Sequence, residues 1–128
     1  MEPDVLPVLL IEDEAGVAAY IRAALERHSY TVVCSNSGTD ALRLLASGEF
    51  LGVISDMRLP DGVDGAHVHD WVSQHRPELA SRFVFTTGDI ANDETVAALR
   101  KTGAPCLEKP FGVSELILVV EKTMGKAR

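Results

Sequence analysis

Acidic side chains that could hold a metal ion follow directly after two short apolar runs of the chain. Glu12 and Asp13 end the run 6–11, and Asp56 ends the run 51–55. Two carboxylates about 5 Å apart repel by roughly 3 kcal/mol at an effective dielectric constant of about 20, so three that meet need a bound cation or a raised pKa. Oxygen ligands with room for water favour Mg²⁺, with Mn²⁺ as the alternative. The competing interpretation is that these acids only end strands and face solvent.

A hydroxyl group and an ammonium group follow two further apolar runs, at Thr86-Thr87 and at Lys109. Adjacent residues of a strand point to opposite faces, so only one threonine can face a site, and this alternation does not say which. The room that Gly88 leaves beside Thr87 favours Thr87. The bond between Lys109 and Pro110 is also a candidate cis peptide, because only X–Pro bonds populate the cis isomer appreciably.

Apolar runs alternate with amphipathic segments along the chain, which predicts five strand–helix units. The predicted strands are residues 5–11, 30–34, 51–55, 83–87 and 104–108. The predicted helices are 14–28, from Ser37 or Thr39 to Gly48, 65–75, from Asn92 or Asp93 to Gly103, and from about Ser114 to Met124. This alternation predicts parallel pairing with helices on both faces, hence a three-layer α/β sandwich. Because ligands of open parallel sheets bind beyond the carboxyl ends of the strands, the polar residues should form one site.

Length and composition indicate a single domain, residues 1–128 with a core of about 5–124, and no output or DNA-binding domain. A net charge of −7 speaks against direct binding to nucleic acid. The apolar runs are too short to span a membrane and the N-terminus is acidic, so we expect a cytoplasmic chain without membrane contact. Cys34 and Cys106 form no CxxC pattern and suit a reducing compartment. The four histidines are expected on the surface: His28, His67, His69 and His75.

The strand-end motifs together resemble the response regulator receiver domain of two-component (phosphorelay) signalling. These motifs are Leu9-Leu10-Ile11-Glu12-Asp13-Glu14, Ser55-Asp56-Met57-Arg58-Leu59-Pro60, Thr87-Gly88 and Glu108-Lys109-Pro110-Phe111. The four motifs occur in order at the ends of strands, which makes the resemblance specific, and the resemblance covers nearly the whole chain. It implies a flavodoxin-like (βα)5 fold with strand order 2-1-3-4-5. The stretch 103–111 is in addition weakly similar to the receivers of hybrid histidine kinases.

The resemblance implies a role for each of the acids. Asp56 matches the phosphoacceptor of the family. Asp13 matches a direct Mg²⁺ ligand, and Glu12 matches an acid that acts on the metal through water. The backbone carbonyl of Arg58 matches the remaining protein ligand.

The resemblance also implies sensing residues and partners. Thr87 and Lys109 match the hydroxyl and ammonium groups that respond to a bound phosphoryl group. Arg58 and Asp89 match two positions that influence how long the phosphoryl group lasts. The implied donor is a histidine kinase or a histidine phosphotransfer protein, and the implied output surface is the fourth predicted helix, the fifth strand and the fifth helix. The chain is then a phosphoacceptor module and not an enzyme.

Two features depart from the family pattern. Cys106 stands where many members carry Tyr or Phe, and a cysteine has too little area to act as a rotating aromatic plug. The loop 60–65 is one residue longer than the common version. Two alternative functions stay open, namely a phosphorylation-independent interaction scaffold and an Mg²⁺-dependent aspartyl-phosphate phosphatase. For the phosphatase, Arg58 occupies the place of the general acid and cannot serve.

Overall fold

Five parallel strands form the central sheet of the protein, whose computed structural model describes residues 5–88 and 93–127. The strands are β1 (Val8–Ile11), β2 (Val32–Ser35), β3 (Gly52–Asp56), β4 (Phe83–Thr87) and β5 (Cys106–Glu108). Their order across the sheet is β2-β1-β3-β4-β5. Every residue of β1, β3 and β4 is buried, as expected for parallel strands that are covered on both faces. The predicted order and pairing are confirmed.

Helices connect the strands. They are α1 (Ala15–Arg27), α2 (Gly38–Ser47), α3 (Gly65–His75), α4 (Pro77–Ala80), α5 (Asp93–Thr102) and α6 (Val113–Met124). Ser37, not Thr39, caps α2, since its side chain accepts a hydrogen bond from the backbone N–H of Asp40 at 3.1 Å. The short α4 is absent from the prediction because Pro77 ends α3 but its fixed φ also suits the first turn of a new helix. Within the described ranges, no helix is long and apolar enough to cross a membrane.

Two apolar clusters hold the helices against opposite faces of the sheet. One cluster joins Val8 and Leu10 of β1 to α1 and α6, and the other joins Leu9 and Ile11 of β1 to α2 and α3. Successive strand residues point to opposite faces, so each strand contributes to both clusters. This arrangement is the predicted three-layer sandwich, with helices packed on both faces of the sheet.

The predicted ends of some elements are wrong by one to three residues, and the largest error is at β1, which begins at Val8 and not at residue 5. Strand β2 begins at Val32 and β5 begins at Cys106, each two residues later than predicted. Val96 and Leu99 are the predicted inward residues of α5: Leu99 packs against the core cluster, whereas Val96 is only half-buried and Thr95 is buried. Asn92, one of the two predicted first residues of this helix, lies outside the described residues. The errors affect positions where a strand leaves the sheet or a helix carries few apolar residues.

His69 is buried, which corrects the expectation that all four histidines lie on the surface. The residue is 7% exposed, and its ring packs edge-on against Phe83, with ring centroids 4.8 Å apart. Burial lowers the pKa of His69, so the neutral imidazole is the favoured form. His69 follows the buried Val68 and precedes the buried Val72 by one turn, so it belongs to the apolar stripe of α3.

Candidate functional site

The carboxyl ends of the strands meet at one edge of the sheet and form a pocket of about 320 Å³. Pairing places Ile11 opposite Ser55 and Asp56 opposite Thr86, so the residues that follow β1, β3 and β4 lie side by side. The pocket is lined by Asp13, Glu14, Asp56, Arg58, Thr87, Gly88 and Lys109. Glu12 joins this group through a hydrogen bond from Lys109. The fold thus brings together the polar strand-end residues that the sequence points to.

Glu12, Asp13 and Asp56 form an oxygen-only cluster in which one carboxylate oxygen from each lies within 4.8 Å of the others. Glu12 is 4% exposed and Asp56 is 7% exposed, whereas Asp13 is open to solvent. Across the described part of the chain, the Oε2 atom of Glu12 finds no hydrogen-bond partner. A buried carboxylate oxygen without a donor is unfavourable unless a cation, a proton or water compensates it. This donor set fits a hard divalent cation such as Mg²⁺, which takes one or two carboxylates and keeps several waters.

Lys109 is a basic residue of the pocket, as is Arg58. Its Nζ atom donates hydrogen bonds to Glu12 Oε1 at 2.7 Å and to Asp56 Oδ2 at 2.8 Å. Burial acts to lower the pKa of Lys109, but its hydrogen bonds to Asp56 and Glu12 outweigh burial, and the pKa is raised. Lys109 therefore stays an ammonium group that offsets part of the negative charge of the cluster.

The surroundings of Glu12 change its pKa. Burial is the largest influence, and it raises the pKa of Glu12 to about 7. The hydrogen bond from Lys109 opposes this rise, whereas the neighbouring Asp56 adds to it. A proton on Glu12 and a cation in the cluster are two alternative ways to relieve the repulsion between the carboxylates.

The Asp56 carboxylate is held at both oxygens. Its Oδ1 atom accepts a hydrogen bond from the backbone N–H of Arg58 at 3.1 Å, and its Oδ2 atom accepts one from Lys109. Two fixed oxygens set the direction of the carboxylate towards the pocket, which is what a nucleophilic role requires. The role of the Arg58 carbonyl as a metal ligand stays a prediction.

The other strand-end residues lie around this carboxylate. Thr86 and Thr87 are both buried, but Thr87 lines the pocket beside Gly88, whereas Thr86 does not line it. Thr87 also receives a backbone hydrogen bond, from the N–H of Lys109 to its carbonyl oxygen at 2.7 Å. The Lys109–Pro110 peptide bond is cis, the isomer that the sequence raised as a candidate.

Cys106 lies on β5, directly opposite Phe85 of β4. The cysteine is half-buried, and burial together with the nearby acids Glu108 and Asp56 raises the pKa of its thiol to about 11. The thiol therefore stays protonated near neutral pH and is a poor nucleophile. Asp89, which the sequence suggests as a modulator of phosphoryl lifetime, lies outside the described residues.

Two features of the site are absent from the sequence prediction. Glu14 lines the pocket, and its Oε1 atom lies 3.8 Å from Lys109 Nζ, so a third acid faces the lysine. An apolar groove of about 510 Å³ also adjoins the pocket, sharing Lys109 with it. Tyr20 is 42% exposed in this groove and donates a hydrogen bond to the backbone carbonyl of Phe111 at 3.0 Å. Position 14 directly after Glu12-Asp13 is a signal for the third acid, but the groove depends on contacts between α1 and residues 109–111 that no local pattern reveals.

The strand order and the pocket define the class of flavodoxin-like, CheY-type receiver folds, and solved structures agree. A CheY-like response regulator receiver domain protein from Methanospirillum hungatei JF-1 superposes with a TM-score of 0.84 at 20% sequence identity, covering 94% of each chain. The signal receiver domain of an HD domain-containing protein from Pseudomonas fluorescens Pf-5 gives a TM-score of 0.81 at 27% identity, covering 92% of this chain and 94% of the other.

The family model for the response regulator receiver domain matches residues 8–121, and the chain belongs to this family. Among curated relatives, the C4-dicarboxylate transport transcriptional regulatory protein DctD of Rhizobium meliloti is 32% identical over 122 residues, which are 94% of this chain and 26% of that protein. The response regulator protein FleR of Pseudomonas aeruginosa is 31% identical over 120 residues, 93% of this chain and 25% of that protein. The chain thus spans about a quarter of the length of these relatives. Receiver domains of this family are phosphoacceptor modules of two-component signalling.

Proposed function

We propose that this receiver domain accepts a phosphoryl group on Asp56 from a phosphohistidine of a histidine kinase or a histidine phosphotransfer protein. Mg²⁺, or Mn²⁺ in its place, would be held by Glu12, Asp13 and Asp56 together with the backbone carbonyl of Arg58. One observation carries the proposal: a buried Asp56 carboxylate, fixed at both oxygens, faces a pocket that it shares with two further acids and the ammonium group of Lys109.

The transfer is a displacement at phosphorus. An oxygen of the Asp56 carboxylate attacks the phosphorus atom, and a P–O bond forms while the P–N bond to the donor imidazole breaks. The electron pair of that bond returns to the imidazole nitrogen, which takes up a proton, and Asp56 becomes an aspartyl phosphate. Mg²⁺, when bound, offsets the charge of the phosphoryl oxygens and of the carboxylate that they approach. Lys109, already 2.8 Å from Asp56 Oδ2, provides a second positive charge at the same point.

Phosphorylation then changes the hydrogen bonds of Lys109 and Thr87. New phosphoryl oxygens are stronger acceptors than the carboxylate that Lys109 now contacts, so its ammonium group is drawn to them. The Thr87 side chain lines the same pocket and is within the reach of such a group. Because Lys109 N–H is bonded to the Thr87 carbonyl, the ends of β4 and β5 respond together.

The surface formed by α5, β5 and α6 is the proposed output face, because these elements follow the two sensing residues. Cys106 on β5 is half-buried and small, so rotation of an aromatic side chain at this position is not the signal. Displacement of the ends of β4 and β5 against α5 and α6 is the remaining route within this surface. The protein that would read this face is a downstream target of the pathway.

The apolar groove beside the pocket is the proposed contact area for the donor protein. A phosphohistidine must enter the pocket to reach Asp56, so the donor covers the surface around the pocket opening. The groove between α1 and residues 109–111 adjoins this opening, and Tyr20 and Phe111 provide aromatic area there. Aromatic side chains of this kind supply much of the binding energy in protein interfaces.

Arg58 is proposed to tune the lifetime of the aspartyl phosphate. Its side chain lines the pocket two residues after Asp56, where it can hinder attacking water. Arg58→Ala is expected to change the dephosphorylation rate, and the sequence predicts the same for Asp89→Ala. Equal phosphoryl half-lives in the wild type and both variants would remove this role.

The proposal is tested by incubating the chain with acetyl phosphate in the presence and absence of Mg²⁺ and measuring the intact mass. We expect an acid-stable, base-labile gain of one phosphoryl group in the wild type with Mg²⁺, and no gain in Asp56→Asn. A Tyr20→Ala variant tests whether the apolar groove contacts the donor protein. It should accept a phosphoryl group from acetyl phosphate at the wild-type rate and from a protein donor more slowly. A wild type that gains no mass under any of these conditions would instead indicate a phosphorylation-independent scaffold.

A further inference from the structure

The loop 57–64, which leaves Asp56 and returns to the start of α3, carries the atoms that orient the phosphoacceptor. The backbone N–H of Arg58 binds Asp56 Oδ1, and the Arg58 carbonyl is the proposed metal ligand. The loop turns sharply at Asp61 and Gly62, whose φ angles are +68° and +72°. Its position therefore decides where both backbone groups of Arg58 lie relative to the Asp56 carboxylate.

The far end of the loop lies directly against the phosphoacceptor. A Cβ atom on Gly65 would overlap the carbonyl oxygen of Asp56 and would lie 3.1 Å from Met57 Cα. The N–H of Gly65 donates a hydrogen bond to the carbonyl of Met57 at 3.0 Å. Only a residue without a side chain allows α3 to begin this close to the β3 terminus.

A second close approach fixes the middle of the loop to a different helix. A Cβ atom on Gly38, the first residue of α2, would overlap the carbonyl oxygen of Val63 and would approach its Cβ to 2.9 Å. Val63 is half-buried and packs against the cluster between α2, α3 and the sheet. Because the overlapping atom is backbone, the loop or the helix must move when a side chain is added at position 38.

We infer that Gly38 and Gly65 are positioning residues for the phosphoryl-transfer site, acting through the loop 57–64. The missing side chain at Gly65 lets the start of α3 lie against the Asp56 carbonyl, and the missing side chain at Gly38 lets α2 lie against Val63. These two close contacts fix the ends of the loop segment that carries Arg58, and so they set the distance from the Arg58 backbone to the Asp56 carboxylate. Gly38 makes no contact with the pocket, so its influence on the metal and on Asp56 is indirect. The inference rests on the proposed function, because it concerns the metal and the phosphoryl group that the site would bind.

The test measures Mg²⁺ affinity by isothermal titration calorimetry and acetyl phosphate turnover at several Mg²⁺ concentrations, in Gly38→Ala and Gly65→Ala. Substitution of groups that orient metal ligands typically lowers metal affinity by about 10- to 100-fold, so we expect the Mg²⁺ dissociation constant to rise about tenfold in both variants. Excess Mg²⁺ should restore part of the phosphorylation rate of Gly38→Ala, which a general loss of folded protein would not allow.

Gly52→Ala is the matched control. A Cβ atom at this position would lie 2.7 Å from the carbonyl oxygen of Arg82, so this variant is also strained, but at the opposite end of β3. It should lose stability and keep the wild-type dissociation constant. An unchanged constant in Gly38→Ala, or an equal loss in Gly52→Ala, would overturn the inference, whereas failure of the wild type to bind Mg²⁺ would contradict the proposed function instead.

Val63→Gly tests the inference without adding a side chain, in case the added Cβ atom of the two alanine variants prevents folding. This variant leaves Gly38 unchanged but removes the side chain that anchors the loop in the core cluster. It should also raise the Mg²⁺ dissociation constant, by about tenfold, if the anchored loop positions Arg58. A wild-type constant in Val63→Gly would show that the loop needs no anchor, and the inference would fail.

Discussion

Glu12→Gln should remove a specific pH dependence from the stability of the protein in metal-free buffer. The folded chain raises the pKa of Glu12 from 4.5 to about 7, chiefly through burial. Between these two values the folded protein holds a proton that the unfolded chain releases, so the wild type loses stability as pH rises. Glutamine has the same shape and cannot ionise, so the variant should not show this loss.

The size of the effect follows from the two pKa values. One pKa unit corresponds to about 1.4 kcal/mol, so the interval from 4.5 to about 7 lowers the free energy of unfolding of the wild type by about 3 kcal/mol above neutral pH. All other titrating groups are common to both proteins. The difference in unfolding free energy between Glu12→Gln and wild type should therefore grow by about 3 kcal/mol from about pH 4.5 to about pH 8.

Urea denaturation with EDTA, followed by circular dichroism at several pH values, measures this difference. In a second series, saturating Mg²⁺ should stabilise the wild type more than Glu12→Gln, because the bound cation takes the place of the proton in relieving the repulsion between the carboxylates. A difference between the two proteins that changes by less than about 1 kcal/mol over this range would refute the account of Glu12.

Further predictions concern the lysine, the cysteines and the arginine after α3. Lys109→Met should be about 3 kcal/mol less stable than the wild type by urea denaturation in EDTA, because the substitution leaves buried carboxylates unpaired. Mg²⁺ should restore most of this loss, and equal losses with and without Mg²⁺ would contradict the prediction. Iodoacetamide near pH 8 should modify the exposed Cys34 more than about ten times faster than Cys106, whose pKa is about 11, as peptide mass spectrometry would show; equal rates would contradict the burial of Cys106. Arg76→Ala removes two hydrogen bonds at the end of α2, to the carbonyls of Leu45 and of the capping residue Gly48, and should lower the free energy of unfolding by about 2 kcal/mol without changing Mg²⁺ affinity. A weaker affinity would show that the helix end affects the site.

Most of the fold follows from local patterns in the sequence. The runs that became β1, β3 and β4 are continuous and apolar, so burial on both faces and parallel pairing are readable from them. Alternation with helices then leaves few arrangements of the sheet. Weaker elements are harder to predict from the sequence. Strand β5 has three residues, and the ends of β2 depend on where its pairing with β1 stops. The strand order itself came from the family resemblance and not from the residues.

The candidate site divides in the same way. Residues at or just after the carboxyl ends of strands, such as Asp56 and Lys109, are predictable because the topology brings the strand ends together. The bonds between them are not, since the contact from Lys109 to Glu12 joins residues 97 positions apart. Burial of His69 and the loop contact of Gly38 likewise depend on how helices pack over the sheet, which no local pattern contains.

The central claim is that Asp56 itself receives the phosphoryl group. Borohydride reduces an aspartyl phosphate to an alcohol but leaves a free carboxylate intact, so treatment after exposure to acetyl phosphate and Mg²⁺ marks the acceptor for peptide mass spectrometry. We predict a reduced side chain at Asp56 alone, formed only with Mg²⁺. A phosphorylated wild type with the mark at Glu12, Asp13 or any other residue would contradict the account.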